Sequence, residues 1–284
     1  MSTSTVAIAG NGVFQFISNL VRERSAISLE PGKEYLVESR LGPVARDNGL
    51  ASLEDLVAAI RQPGAQNLTR QVVEAMTTNE TSFFRDIHPF DALRQQILPE
   101  LVSKRSKERT LCIWSNACSS GQEPYTIAMI LREHFPELNG WTVRLVGSDL
   151  STQILKRARE GVFNQTEVNR GLPAPLLIKY FQKEGLQWRI KDELRRMVDF
   201  QQINLVETWP ATLPKMDIVF LRNVLIYFQP ETKKAILDKL KNSLRPDGYL
   251  FLGGAETTMN LDTSFSRVQL GKAVCYQHTA SPKR

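Results

Sequence analysis

The sequence predicts an α/β protein in which a small N-terminal helical domain precedes a doubly wound domain with a mostly parallel sheet. Two observations support this fold class. In roughly the first 88 positions, apolar residues recur at helical spacing. From about residue 108, apolar segments typical of strands alternate with helical segments of about ten to fifteen residues, which is the pattern of a parallel sheet covered by helices.

The N-terminal domain is predicted to contain four helices. The first contains the apolar positions of residues 14–21, and the second, around residues 35–41, is expected to end at the Leu-Gly-Pro sequence that follows. Ser52, with Asp55 three residues later, forms a capping-box-like start for a third helix. A fourth helix is expected over residues 68–76. Nothing in this region resembles a catalytic constellation.

The second domain is predicted from a succession of strand-like and helix-like segments. In chain order they are TLCIWSNA (strand), EPYTIAMILREHF (helix), TVRLVGSDLS (strand), TQILKRAREGVF (helix), VDFQQINL (strand), MDIVFLRNVLIYF (strand), PETKKAILDKLKNSL (helix), an RPDG turn and YLFLGG (strand). Residues 163–196 interrupt the series as an insertion or subdomain. We place the helical domain and linker at residues 1–88 and the second domain at residues 89–284.

Composition excludes several classes of protein. The chain is 42% hydrophobic and 23% charged, as is usual for a globular protein, and no apolar run approaches the roughly 18 to 20 residues of a membrane span. Cys112, Cys118 and Cys275 lack the spacing of a zinc site or a disulfide framework. The three histidines lie far apart in the sequence, which gives little support to a hydrolase. We expect a cytoplasmic protein.

Charge is distributed unevenly along the chain. Residues 1–88 carry 8 basic and 10 acidic side chains, so the rest of the chain has 36 − 8 = 28 basic and 30 − 10 = 20 acidic side chains. This second part favours an acidic partner, whether a nucleic acid or an acidic protein surface. Alternatively, the excess basic side chains form a solvated surface and bind no acidic partner.

The segment after the first predicted strand has the features of a cofactor-binding loop. Ala117, Ser119, Ser120 and Gly121 are small enough for the backbone to approach a ligand closely, and the following helix offers unpaired N–H groups. Glu123 would repel a pyrophosphate but attract a positively charged amino or sulfonium group, which favours S-adenosylmethionine over NAD. Alternatively, Glu123 only complements the helix dipole, an effect of about 0.3 to 1 kcal/mol.

Polar residues also follow two other predicted strands. Asp149 is placed to accept hydrogen bonds from both hydroxyls of a ribose, or else Asp149 or Ser151 caps the next helix. Arg222 and Asn223 form a polar pair inside an apolar run. Because a buried guanidinium without partners is costly, we expect Arg222 to reach the crevice or a carboxylate.

The segment of residues 77–86, TTNETSFFRD, lies at the junction of the two domains. Phe83 and Phe84 suit a core position, and Asn79 and Thr81 suit a helix cap. Taken alone, the segment leaves a structural and a functional interpretation open.

Together, these motifs resemble those of the chemoreceptor glutamate methyltransferases, the CheR family. The motifs are TTNETSFFRD, WSNACSSGQEPY, GSDLS, INL, FLRNVLIYF and RPDGYLFLGGAE, in this order. The resemblance extends from about Gly12 to Tyr276. It implies an N-terminal helical domain and a Rossmann-like, S-adenosylmethionine-dependent methyltransferase domain with an inserted small β-subdomain. It also implies methyl transfer to receptor glutamates during sensory adaptation, which gives glutamate methyl esters and S-adenosylhomocysteine.

The resemblance also implies which residues form the site. The implied cofactor-binding residues are Asn79, Thr81, Arg85, Glu123, Asp149, Asn204, Leu205, Arg222 and Asn223. We expect Arg222 or Tyr227 to orient the acceptor carboxylate as catalytic residues, and we expect no metal. A glutamate with a pKa near 4.3 is ionised about 500 to 1 at pH 7, so it needs no general base.

The expected partner is the cytoplasmic helical bundle of chemotaxis receptors, and a regulatory protein is a further candidate partner. We expect a monomer that binds no nucleic acid and does not insert into a membrane. Family members that tether to a receptor's C-terminal pentapeptide have a longer, glycine-bearing loop in the inserted subdomain, where this chain has only FQKEGLQWRI. Methylation is therefore expected not to depend on that tether.

Two other functions remain as alternatives. One is a non-catalytic sensor or scaffold that binds S-adenosylmethionine and a chemotaxis partner. The other is a nucleic-acid methyltransferase, which the basic second part of the chain suggests. An Asn-Pro-Pro-Tyr or Asp-Pro-Pro-Tyr sequence would support the second, and the chain has neither at residues 222–227.

Overall fold

The computed structural model describes residues 11–278 and contains two compact units. The first unit is the chain up to Thr78 together with residues 227–229, and the second unit is the remainder. The predicted domain boundary after residue 88 stays a prediction, because a compact unit need not coincide with an independently folding domain.

From residue 11 onward, the first unit is built from four helices around one apolar core. They are α1 (Asn11–Ser25), α2 (Glu34–Asp47), α3 (Leu53–Ile60) and α4 (Gln66–Ala75). Val21, Leu41 and Val72 are fully buried in this core. The predicted start of α3 is also found, since the Asp55 backbone N–H donates to the Ser52 side chain at 3.0 Å.

Helix α2 continues beyond the point at which the sequence suggested that it ends. Pro43 lies inside the helix, although it has no N–H to donate to the preceding turn. Leu41 and Ala45, on either side of Pro43, are buried in the core. We attribute the continuation to this packing, which favours the helix more than the single lost hydrogen bond disfavours it.

As far as residue 278, the second unit contains ten strands in two sheets. The strands are β1 (Thr110–Asn116), β2 (Thr142–Asp149), β3 (Val162–Asn164), β4 (Phe181–Glu184), β5 (Gln187–Ile190), β6 (Val198–Gln202), β7 (Met216–Leu221), β8 (Leu244–Leu252), β9 (Phe265–Leu270) and β10 (Ala273–His278). The larger sheet has seven strands in the order β6-β2-β1-β7-β8-β10-β9. The first five strands in this order, from β6 through β2, β1 and β7 to β8, pair in parallel. Strand β10 pairs antiparallel with β8, and β9 pairs antiparallel with β10.

Helices precede, connect and flank these strands. The helices are α5 (His88–Ala92), α6 (Leu98–Lys104), α7 (Gln122–His134), α8 (Thr152–Glu160), α9 (Gln165–Asn169), α10 (Ala174–Tyr180), α11 (Asp192–Arg195) and α12 (Pro230–Ser243). Of these, α7, α8 and α12 are the helices of the predicted alternating pattern. A π-helical segment at Leu93–Ile97 joins α5 to α6, and short 3-10 helices lie at Pro136–Leu138 and Leu225–Tyr227. None of the helices within residues 11–278 is long and apolar enough to cross a membrane.

The insertion between α8 and β6 contains a separate antiparallel sheet in the order β3-β5-β4. Strands β4 and β5 are joined by the two residues 185–186. The predicted fold class is confirmed: a helical N-terminal part, a doubly wound sheet and a small inserted β-subdomain.

Two features at the C-terminal end of the chain differ from the sequence prediction. The RPDG segment lies within β8 as a bulge, because Met216 pairs with Leu244 whereas Ile218 pairs with Tyr249. The hairpin of β9 and β10 was not predicted. Its two strands are connected at Gly271, whose φ of +59° suits a tight hairpin turn.

Candidate functional site

The loop between β1 and α7 has an unusual backbone. Ala117, Ser119 and Gly121 have φ angles of +48°, +51° and +93°. A Cβ at Gly121 would lie 3.1 Å from the Tyr125 ring and 3.2 Å from the Ala158 side chain, so the position requires glycine. Small residues therefore permit this left-handed geometry at the carboxyl end of a central strand, where ligands bind in doubly wound sheets.

Asp149 lies beside this loop at the end of the neighbouring strand β2. Its carboxylate is largely buried and accepts the backbone N–H of Ser119 at 2.9 Å and that of Ser151 at 3.0 Å. Ser151 is the N-cap of α8 and accepts the N–H of Ile154 at 3.2 Å. Because Ser151 performs the capping role, Asp149 acts instead as a fixed carboxylate next to the loop.

Glu123 and Arg222 form a buried ion pair behind the loop. The Glu123 carboxylate accepts the Ser115 hydroxyl at 2.7 Å and the Arg222 guanidinium at 3.0 Å. Arg222 also donates to the Asp86 carboxylate at 2.8 Å and to the Arg85 carbonyl at 2.9 Å. Arg222 thus binds two carboxylates, as expected from the cost of burying its charge without partners.

The segment that contains Asn79, Thr81 and Arg85 belongs to the second unit and runs beside the loop. The Ser119 hydroxyl donates to the Asn79 carbonyl at 2.9 Å, which attaches the segment to the loop. Thr81 and Arg85 are half-buried, and the Arg85 guanidinium donates to the Glu80 carbonyl at 2.9 Å.

The two phenylalanines of this segment pack as core residues. Phe83 is fully buried and contacts Phe163 and Phe181 edge-on, with ring centroids 5.1 and 5.6 Å apart. Phe84 is half-buried, and its backbone N–H donates to the Thr126 hydroxyl at 3.1 Å. The structural interpretation therefore holds for this phenylalanine pair, while neighbouring residues lie beside the loop.

Asn204 and Leu205 follow β6, and a backbone hydrogen bond from the preceding residue, Ile203, holds this segment beside Asp149. The Ile203 N–H donates to the Asp149 carbonyl at 3.1 Å, and Leu205 is buried. The Asn204 amide donates to the Glu207 carboxylate at 3.0 Å. The ends of β2 and β6 therefore meet at the same edge of the sheet.

Asn223 is fixed by a residue that the sequence analysis missed. It has a φ of +58°, and its backbone N–H donates to the Glu256 carboxylate at 2.8 Å. The same carboxylate accepts the N–H groups of Val224, Leu225 and Gly253 at 2.9, 2.7 and 2.6 Å. Glu256 therefore holds the turn after β7 in place. The only sequence signal was its position in the GGAE motif after β8.

Tyr227 is grouped with the first unit rather than with Arg222. It ends the short 3-10 helix, and its backbone carbonyl accepts the Ser28 N–H at 3.2 Å. The proposed role of Tyr227 in orienting an acceptor stays a prediction.

Two buried donors at the strand ends lack a protein partner within the described part of the chain. They are Nδ2 of Asn116 at the end of β1 and Nε of Arg222 just after β7. Buried donors are nearly always satisfied by protein, water or ligand. Together with the left-handed loop and the fixed carboxylate of Asp149, they fit a polar organic cofactor bound across these strands.

The site offers no activated nucleophile of its own at the loop. Burial raises the pKa of the Cys118 thiol well above its ordinary value, and the nearby charges of Asp149 and Glu123 raise it further. Within residues 11–278, no cluster of three or more histidine, cysteine or carboxylate side chains is arranged to hold a metal ion.

Comparison with known proteins identifies matches along most of the chain. The model of the family described as "CheR methyltransferase, SAM binding domain" matches residues 79–274, and that of "CheR methyltransferase, all-alpha domain" matches residues 13–77.

Curated relatives match over nearly their whole length. Chemotaxis protein methyltransferase 1 of Pseudomonas aeruginosa is 40% identical over 95% of this chain and 98% of its own length. Chemotaxis protein methyltransferase Cher2 of Pseudomonas putida is 39% identical over 94% of this chain and 98% of its own. A chemotaxis protein methyltransferase of Vibrio parahaemolyticus is 38% identical over 93% of this chain and 96% of its own.

Proposed function

The chain belongs to the CheR methyltransferase family, and we propose that it transfers a methyl group from S-adenosylmethionine to glutamate side chains of chemotaxis receptors. The products are glutamate methyl esters and S-adenosylhomocysteine. The observation that carries the proposal is the pair of carboxylates, Glu123 and Asp149, fixed beside the loop after β1. Of the two, Glu123 disfavours a phosphate at the start of α7, whereas Asp149 suits the ribose that NAD and S-adenosylmethionine share.

The cofactor-binding roles are proposed for residues at the ends of adjacent strands. Asp149 has the position and charge to accept the ribose hydroxyls, and Asn204 and Leu205 follow the next strand along the edge. Glu123, which is ion-paired with Arg222, is the proposed hydrogen-bond acceptor for the cofactor's amino group. Asn79, Thr81, Arg85, Arg222 and Asn223 complete the proposed set.

S-adenosylmethionine supplies a methyl group on a positively charged sulfur. A glutamate oxygen forms the new C–O bond as the methyl–sulfur bond breaks, and the bonding electrons stay on sulfur. No proton is transferred, because the acceptor is already a carboxylate at neutral pH. The protein's contribution is therefore to orient the two groups in line and to exclude water, and Arg222 and Tyr227 are the proposed orienting residues.

The proposed acceptors lie on the cytoplasmic helical bundle of the receptors, so we place the enzyme in the cytoplasm. We further propose that it acts as a monomer and that a regulatory protein is a further partner.

The decisive experiment incubates the purified protein with receptor-containing membranes and radiolabelled S-adenosylmethionine. We expect label in the receptor band that mild base releases as methanol, which is diagnostic of a methyl ester. Base-stable label, or label on added nucleic acid alone, would reject the proposal.

We further propose that methylation does not require a receptor's C-terminal pentapeptide. This proposal is supported by the short connection between β4 and β5, which consists only of residues 185–186. Receptors with and without their last five residues should be methylated at equal initial rates. A marked loss on truncation would show that the small sheet still uses a tether.

Replacing Asp149 with asparagine should weaken cofactor binding about 10- to 100-fold, since one charge-assisted hydrogen bond contributes about 1.5–3 kcal/mol. Calorimetric titration with S-adenosylhomocysteine measures this effect without any need for turnover. Asp199→Asn, on the exposed side of β6, is the matched control and should bind like the wild type. Equal affinity in the two variants would remove Asp149 from the ribose-binding role.

A further inference from the structure

A cavity lies on the other side of Arg222 from Asp149. It has a volume of about 390 Å³, within the range of small-ligand sites, and is lined by residues including His88, Arg222, Glu256, Arg267 and Lys272. The sheet order places β1 and β2 on one side of β7, and β8 and β10 on the other. Arg222, itself one of the proposed cofactor residues, therefore lies between Asp149 and this cavity, which we call the hairpin pocket.

The acidic residues of the hairpin pocket are already engaged. Glu256 accepts backbone N–H groups from the turn after β7, including that of Asn223 at 2.8 Å, and from Gly253 directly after β8 at 2.6 Å. Asp86 accepts the Arg222 guanidinium at 2.8 Å. Neither carboxylate is free to neutralise a basic side chain on the opposite wall.

The basic residues at the rim remain available. Lys272 is exposed at the hairpin turn and makes no hydrogen bond or ion pair with any residue from 11 to 278. Arg267 is exposed on β9, and its guanidinium donates a hydrogen bond to the Gln269 side chain at 2.8 Å. The pocket therefore has two basic side chains at its mouth and a buried guanidinium, Arg222, at its inner wall.

We propose that the hairpin pocket receives the acceptor glutamate of the receptor, and that Lys272 and Arg267 select its carboxylate. This inference rests on the proposed function. A carboxylate is attracted to the two basic side chains at the mouth. Arg222, whose charge is already shared between Glu123 and Asp86, forms the inner wall beyond which the other proposed cofactor residues lie. Methylation removes the negative charge of the acceptor, so the same side chains favour the substrate over the ester product.

The test measures initial rates against receptor concentration at saturating S-adenosylmethionine for Lys272→Glu and Arg267→Glu. Each should raise the KM for receptor about 10-fold, with little change in kcat, because a rim charge acts mainly on association. Lys272→Arg should restore the wild-type KM. Lys234→Glu, an exposed lysine on α12 outside the pocket, carries the same charge change and should leave KM within about twofold of wild type.

The outcomes separate this inference from the proposed function. If the wild type forms no base-labile methyl ester, the proposed function fails. If the wild type is active but Lys272→Glu and Lys234→Glu have the same KM, only the hairpin pocket is rejected. Calorimetry with S-adenosylhomocysteine should give unchanged affinity for all variants, and a loss of affinity in Lys272→Glu would assign the pocket to the cofactor instead.

Discussion

Arg222→Met should lower the rate of methyl transfer by about 100-fold or more, the usual cost of removing a charged donor from a site. Arg222 links the Glu123 carboxylate at 3.0 Å to the Asp86 carboxylate at 2.8 Å, and its side chain is only 2% exposed. Methionine fills a similar volume but leaves the buried Glu123 without its cation. The variant should therefore also unfold more easily, by about 3–5 kcal/mol.

A second variant separates catalysis from stability. Arg222→Lys keeps the positive charge, but a single ammonium cannot reproduce the fork that binds Glu123, Asp86 and the Arg85 carbonyl together. It should be more stable than Arg222→Met yet still slow. Arg94→Met, which removes a half-exposed arginine paired with Asp91, is the control and should retain the wild-type rate. A wild-type rate in Arg222→Lys would exclude a role for the fork in catalysis.

Sequence periodicity was sufficient for most of the fold, because strands and helices of the second unit follow local patterns of apolar residues. The failures occurred where tertiary packing decides the outcome. Helix α2 passes through Pro43 because neighbouring side chains are buried, and no local propensity shows that. Buried and exposed residues do not alternate regularly in β9, so its sequence does not indicate a strand. The hairpin of β9 and β10 joins the sheet through the pairing of β10 with β8.

The positions of Asp149 and Arg222 at strand ends and of Glu123 in the first turn of α7 could be predicted, because the carboxyl edge of a parallel sheet gathers residues that are distant in sequence. Their assigned roles stay predictions. Glu256 and Asp86 could not be found in this way. Glu256 acts on N–H groups more than thirty residues earlier in the chain, and the Asp86 contact spans 136 positions. Only the folded chain brings such partners together.

At the amino ends of the strands, opposite the proposed site, a buried ion cluster has a structural role. Its members are Arg105, Asp217, Arg245 and Asp247. Asp217 is fully buried, and its carboxylate accepts the Arg105 guanidinium at 2.9 Å and the Cys112 backbone N–H at 2.8 Å. The Nε atom of Arg245 lies 3.4 Å from the Asp217 carboxylate, and the Arg105 guanidinium also binds the Asp247 carboxylate. The cluster ties the end of α6 to β1, β7 and β8.

The cluster also predicts a dependence on pH. Partial burial would raise the pKa of the Asp247 carboxyl, but the hydrogen bond and charge of Arg105 lower it overall from 3.8. A carboxyl whose pKa is lowered on folding stabilises the protein above its unfolded pKa. This contribution should therefore be complete above about pH 5 and be lost as the pH falls through the lowered folded value, below about pH 4.

Asp217→Ala should lower the free energy of unfolding by about 3–5 kcal/mol, because it leaves the Cys112 N–H without its acceptor and the buried Arg105 guanidinium with Asp247 as its remaining carboxylate. Urea unfolding of the full chain measures the change. Asp238→Ala, which removes an exposed carboxylate on α12, is the matched control and should cost about 1 kcal/mol or less. Since Asp217 lies at the amino end of β7 and Arg222 just after its carboxyl end, the folded fraction of Asp217→Ala should still bind S-adenosylhomocysteine with wild-type affinity. A loss no greater than that of the control would show that the cluster contributes little to stability.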